Sequence, residues 1–154
     1  MNLPHHLRAA LEQAVPSLKQ NPDKLLMFIE AGGVCGAAMT TLSFRYRYTL
    51  ILVLVDFSGH PDQIMVPLLA WLQQYQPELI QHPTALAEQM KFDIELISHQ
   101  LCDIELRLPL TEGVTVTMRD GQTTARHSDA PYLQESITLH QPYLKDELIL
   151  GRPD

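Results

Sequence analysis

The sequence predicts an α+β domain, a mainly antiparallel β-sheet with two α-helices packed on it. Three observations carry that prediction. Apolar residues recur at helical spacing over 4–18 and 62–76, two-residue alternation runs through 91–110, and turn signals with glycine or proline separate the strand-like runs. Helix, strands, helix, strands is the order expected of helices laid on one sheet.

In the first helix Leu3, Leu7, Leu11, Ala14 and Leu18 fall at helical spacing, Asn2 is placed to cap it, and Pro4 is tolerated in its first turn. Pro16 spoils the last turn, and NPD at 21–23 is a turn signal. KLLMFIE (24–30) reads as a short strand. AGGVCGA interrupts it, and AMTTLSFRYRYTLILVLVD (38–56) resumes as one long strand, giving an antiparallel hairpin with glycine in its loop. SGHPD (58–62) stops the strand and starts the second helix, 62–76, whose apolar face is Ile64, Met65, Leu68, Leu69, Leu72 and Tyr75. Pro67 predicts a kink or a short first turn, and QPELIQHPT (76–84) reads as a loop.

KFDIELISHQLCDIELRLPL (91–110) is the clearest hairpin. Phe92, Ile94 and Leu96 alternate with Asp93 and Glu95, as Cys102, Ile104, Leu106 and Leu108 do with Asp103, Glu105 and Arg107. The two apolar sets share a face only if the loop is odd, for example Ser98–His99–Gln100. That register sets Glu95 opposite Asp103, Asp93 opposite Glu105 and Lys91 opposite Arg107. TEGVTVTMRDGQTTARH (111–127) predicts another strand pair around the Asp120–Gly121 turn. Residues 1–127 are expected to form one domain. Residues 128–154, where Pro131, Pro142 and Pro153 punctuate short apolar stretches, are expected to form an extended C-terminal arm.

A chain of 154 residues suffices for one domain with a sizeable core. No apolar run approaches the roughly 20 residues of a membrane-spanning helix, and the first residues carry no export signal. The net charge of −7 and pI near 5.4 argue against non-specific nucleic-acid binding, which draws on a cationic excess. Cys35 and Cys102 match no CxxC pattern and are expected to be buried and reduced.

The seven histidines show no paired ligand spacing, and the adjacent His5 and His6 point about 100° apart on a helix, so no metal is expected. GGVCG (32–36) lacks the lysine and following helix of a phosphate cradle, and no serine sits in a GxSxG elbow. Neither a cofactor nor catalytic residues are expected. Two charged sets remain. Phe44, Tyr46 and Tyr48 share one face of their strand, Arg45, Arg47 and Thr49 the other. Rings turned to the core cannot form the stacking platform of a nucleic-acid-binding strand, and a module using Arg45 and Arg47 in that way is the alternative function. Leu50–Val55 is apolar on both faces, which predicts cover on both sides, by the domain's own helices or by another subunit. Asp93, Glu95, Asp103 and Glu105 repel one another across their hairpin by up to about 1 kcal/mol per pair. They read as a solvated face, a docking surface for a partner's cations, or an ion or acid–base site.

Three stretches in one collinear order, LKQNPDKL (18–25), TLSFRYRYTLILVLVDFSGHPDQIMVPLLAWLQQYQPELI (41–80) and DIELRLPLTEGVTV (103–116), resemble the tail completion protein R family of contractile-tailed temperate bacteriophages. The similarity spans about residues 7–118 and is densest over 41–80. It implies a non-enzymatic structural protein that completes the tail and makes it competent to join a DNA-filled head. It also implies a tail-terminator-like architecture, a small α+β domain forming a ring, often six-fold, on the last ring of the tube. The implied partners are further copies of the chain, the tail tube protein, and a head–tail connector or another tail completion protein, with no membrane and no specific nucleic acid. The implied place is the tail or neck of a virion assembled in the bacterial cytoplasm. Such a ring needs two different faces that fit one another. Arg45 and Arg47 on one side, and Asp93, Glu95, Asp103 and Glu105 on the other, are the complementary residues expected at that subunit contact.

Overall fold

A computed structural model describes residues 1–36 and 42–127. The expectations for 38–41 and for the arm 128–154 lie outside the described residues. The first helix divides at Pro16, which has no N–H to continue it: α1 spans Leu3–Ala14 and α2 Pro16–Gln20, followed by a 3-10 turn at Pro22–Lys24. β1 (Leu25–Gly36) and β2 (Phe44–Phe57) pair antiparallel. The glycine-rich stretch does not end β1, which corrects the loop expected there. A bulge between Glu30 and Gly33, with Ala31 at φ 55°, lets the strand bend and pair on as far as Gly36 opposite Phe44.

α3 (Asp62–Tyr75) runs on through Pro67. It buries Ile64, Leu68, Trp71 and Leu72 and leaves Leu69 exposed, so its apolar stripe is turned toward Trp71 relative to the predicted face. Residues 76–84 are not a plain loop. They belong to α4 (Pro77–Ile80) and the start of α5 (Pro83–Gln89), and each helix opens on a proline, where no N–H is needed. Among the described residues the two predicted helices become α1, α2 and α3, and α4 and α5 are added after them.

β3 (Lys91–Leu96) and β4 (Cys102–Arg119) pair in the predicted register, Glu95 with Asp103, Asp93 with Glu105 and Lys91 with Arg107. The Ile97 N–H bonds the Leu101 carbonyl at 3.0 Å, and Ser98 Oγ accepts from the Gln100 and Leu101 amides, closing the odd loop. β4 does not stop at Leu110 but continues into the next predicted strand and returns through Asp120–Gly121 as β5 (Gln122–His127). Both turn residues have positive φ, 51° and 77°, as a type I′ hairpin turn requires. The sheet order is β1-β2-β4-β3, with β5 on β4 beyond the end of β3.

The helices cover one face of this sheet. Tyr48, Leu50, Leu52 and Leu54 of β2, with Ile104, Leu106, Leu108 and Leu110 of β4, form one cluster with Leu3, Leu7 and Leu11 of α1 and Ile64, Leu68 and Leu72 of α3. Burying one such side chain is worth roughly 1.5–3 kcal/mol, so this face dominates the stability of the domain. The α+β architecture is the one predicted, but the chain's own helices do not cover β2 on both sides. Ile51 is buried yet lies outside the cluster, and Val53 and Val55 are half-buried beside it on the opposite face.

Candidate interaction surface

Strand parity puts a second set of side chains on the face away from the helices. Across β1, β2, β4 and β3 its rows read Phe28–Ile51–Arg107–Lys91 and Leu26–Val53–Glu105–Asp93. One half of this outer face is apolar and the other charged.

The charged half is partly satisfied from within. Arg107 Nη1 holds Glu30 at 2.7 Å and Nη2 holds Glu105 at 3.3 Å. These contacts raise the Arg107 pKa, the Glu30 hydrogen bond most and the Glu105 charge next. Asp103 accepts the Asp56 N–H at 2.8 Å, steadying Asp56 at φ 51° in the β2 bulge between Leu54 and Phe57. Asp93 and Glu95 stay exposed, with no ion pair among the described residues. The Arg45 guanidinium lies over Gly113 of β4, where an added Cβ would come 3.8 Å from its nitrogen. Arg47 is exposed and lines a polar cleft of about 450 Å³ with Thr49, Gln76, Glu78 and Pro109. The structure thus brings all six predicted contact residues onto one face, cations at one end and carboxylates at the other. Arg47 and the level of Asp93, marked by Val53, are about 20 Å apart at roughly 3.3 Å per residue.

The rings beside these arginines turn to the helix side. Tyr48 is buried, and Phe44 and Tyr46 are half-buried and packed edge-to-face at 5.0 Å. Cys102 is buried as expected. Cys35 is exposed, because β1 runs on past the glycines as an edge strand. His6 bridges two helices: its Nδ1 accepts from Trp71 Nε1–H at 3.0 Å, which leaves Nε2–H to meet the Tyr75 hydroxyl at 3.2 Å.

Two residues that hold the surface in place escaped the sequence reading. Glu112 is only 2% exposed, and its Oε1 accepts from the Asn2 and Leu3 amides and from His127 Nδ1–H, while Oε2 accepts from the Tyr48 hydroxyl at 3.0 Å. A carboxylate is stabilised at the positive end of a helix. Glu112 therefore caps α1 from the sheet, and Asn2, the predicted cap, makes no side-chain capping bond. Burial first, then the charge and hydrogen bond of Glu112, push the Tyr48 hydroxyl pKa far above its ordinary value. Gln76 is the second. Its Oε1 accepts the Thr111 N–H at 3.1 Å and its Nε2 donates to the Thr111 carbonyl at 2.9 Å. The amide stands in for a strand where β4 has neither β3, whose pairing ends at Arg107, nor β5, whose pairing begins at Val114. Pro109 shares the parity of Thr111, so its missing N–H faces the same gap and costs no ladder bond.

No helix among the described residues is long and apolar enough to cross a membrane. A sequence profile described as P2 phage tail completion protein R (GpR) matches residues 1–131. The chain belongs to this family. The tail completion protein R of Escherichia phage P2 is 34% identical over 147 residues, 95% of each chain. No solved structure matches. The family match spans every described element.

Proposed function

We propose that this chain is a structural, non-enzymatic part of a phage tail that completes the tail and makes it competent to join the head. It does so as a tail-terminator-like ring, six-fold in the simplest form, on the end of the tail tube. The observation that carries the reading is the 34% identity, over 95% of both chains, with a protein named for tail completion. Its partners are further copies of itself, the tube protein below, and a head–tail connector or second completion protein above. It acts in the tail or neck of the virion after assembly in the host cytoplasm. The described residues up to 127 form the tail-completion domain.

The outer face supports self-association, with opposite charge at its two ends. Arg45 and Arg47 contact the Asp93, Glu95, Asp103 and Glu105 end of a neighbouring copy. Asp93, Glu95 and Arg47 give most of the attraction, because Asp103 and Glu105 are already held internally. Tails produced without the chain, then mixed with purified chain and DNA-filled heads, are expected to regain infectivity, with the chain seen at the tail end by electron microscopy. Infectivity that stays at background overturns the function. Charge reversal of Arg45 and Arg47 is expected to lower self-association, and an unchanged native mass overturns only the contact residues.

A further inference from the structure

Seven of the twelve large apolar side chains left exposed among the described residues lie at two places, while Met1, Leu42, Val66, Leu69 and Met118 lie elsewhere. On β1 they are Leu26 (41%), Phe28 (53%), Ile29 and Val34; on β3 and its turn they are Phe92 (56%), Leu96 (80%) and Ile97. β1 and β3 are the two lateral edges of the sheet. Single exposed apolar residues need no explanation. A row of them on a strand with unpaired N–H and C=O groups is a template for another strand, which natural edges normally block with proline, lysine or shortness. The straight half of β1, Leu25–Glu30, contains no proline or lysine and has Glu30 as its one charge.

We propose that β1 of one copy pairs antiparallel with β3 of the next, joining copies head to tail into one continuous sheet. The assignment deepens the self-assembly part of the proposed function and rests on it. Four properties fit the two edges to each other. Their straight halves are both six residues long, Leu25–Glu30 before the bulge and Lys91–Leu96. Three antiparallel steps separate them in the sheet, so β1 and β3 run oppositely and meet antiparallel when copies follow one another around an axis. They stand within two residues of the same height, since the Phe28–Ile51–Arg107–Lys91 row crosses all four strands, and full overlap adds a stagger of two residues from copy to copy.

Their chemistry also matches. Full overlap sets Leu25, Met27 and Ile29 opposite the partner's Leu96, the partner's Ile94 and the partner's Phe92, all on the helix side. On the outer side it sets Glu30, which Arg107 also holds, opposite the partner's Lys91, and Phe28 and Leu26 opposite the partner's Asp93 and the partner's Glu95, so the apolar match lies on the helix side of the join. Each join adds backbone bonds and covers side chains now in water, the strand-addition mode of recognition. The contact is heterologous, so copies joined by a rotation that divides a full turn close a ring. In this register Asp93 faces the neighbour's Phe28, one strand across and about 13 Å along the sheet from Arg47, so the edge contact does not use the outer-face charge pairing and the two are tested as alternatives.

Phe28→Asp, set against the partner's Asp93, and Leu96→Lys, set against the partner's Leu25, place a charge on one edge each, at exposed positions that leave the core intact. The wild-type chain is expected to form a multi-subunit assembly by native mass spectrometry and light scattering. Each variant alone is expected to fall toward the mass of one chain, 17.5 kDa. Mixed in equal amounts, the two variants retain one sound β1 and one sound β3 between them, and are expected to give a dimer of twice that mass. A wild-type chain that is monomeric at about 100 μM overturns the proposal. So does Leu96→Lys dimerising alone, which shows β1 pairing with β1, or variants that assemble as the wild type does. Circular dichroism confirms that each variant is folded. Wild-type tail completion in the infectivity assay, alongside normal assembly of both edge variants, sinks the edge contact while leaving the function standing.

Discussion

Replacing Glu112 tests whether one buried carboxylate ties the sheet to the first helix. Glu112→Ala removes the acceptor for Tyr48, itself 4% exposed, for the Asn2 and Leu3 amides and for His127. A buried hydroxyl left without its partner costs about 1–3 kcal/mol. Loss of a negative group at a helix N-terminus adds about 0.5–2 kcal/mol. With the small void left behind, the expected loss is about 3–5 kcal/mol, the range seen when one member of a buried polar pair is removed. For a domain of this size that lowers the melting temperature by roughly 6–20 °C. Glu112→Gln keeps the shape and one acceptor oxygen, so it is expected to lose only about 1–2 kcal/mol, chiefly the charge at the helix end. Denaturant titration followed by circular dichroism and by Trp71 fluorescence measures both. An alanine variant within 0.5 kcal/mol of the wild type, or a glutamine variant as damaged as alanine, refutes the idea that these bonds anchor α1.

Tyr48 makes stability depend on alkaline pH. Its proton is held in the fold above the ordinary value of 10.0, so from about pH 10 the unfolded chain releases a proton that the folded chain keeps, and stability falls by about 1.4 kcal/mol per pH unit. Tyr48→Phe is expected to remove that share of the slope, and equal slopes for the two proteins above pH 10 count against it. Gln76→Ala leaves the Thr111 N–H and carbonyl without their side-chain partner and is expected to cost about 1–2 kcal/mol, with faster amide exchange at Thr111. Unchanged exchange at Thr111 means the gap in β4 is closed by something else.

What could be read from the sequence was whatever depends on parity and short turns. The 91–110 register followed from demanding that Ile94 and Ile104 share a face, and the Asp120–Gly121 turn from the residue pair that tolerates positive φ at both positions. β1 was cut short because Gly32 and Gly33 read as a turn, whereas a bulge absorbed the glycines and the strand continued. β4 was divided at Leu110 for the same kind of reason. That division hid Glu112, since only an unbroken strand places it on the same face as Leu108 and Leu110. Gln76 gave no local signal, because its partner is 35 residues away. Of the six predicted contact residues, charge and parity found the common face. They could not show that Asp103 and Glu105 are already occupied, because Asp56 and Arg107 reach them only through folded geometry.

On the proposed edge contact, the division of the sheet into two faces lets stability and assembly be altered separately. Every helix packed in the core of the described residues lies on one face, where leucines from α1, α3, β2 and β4 meet. The opposite face retains Leu26, Phe28, Val53 and Val55 beside a row of charge, and no helix of the described residues returns to cover it. A chain selected only to fold would gain little from that arrangement, since exposed apolar edges invite unwanted pairing. It suits the proposed contact, in which β1 of one copy meets β3 of the next. Substitutions at Leu52 or Leu106 should therefore lower folding stability without choosing between assembled states. Substitutions at Phe28 or Leu96 should do the reverse, leaving a folded chain that no longer joins its neighbour.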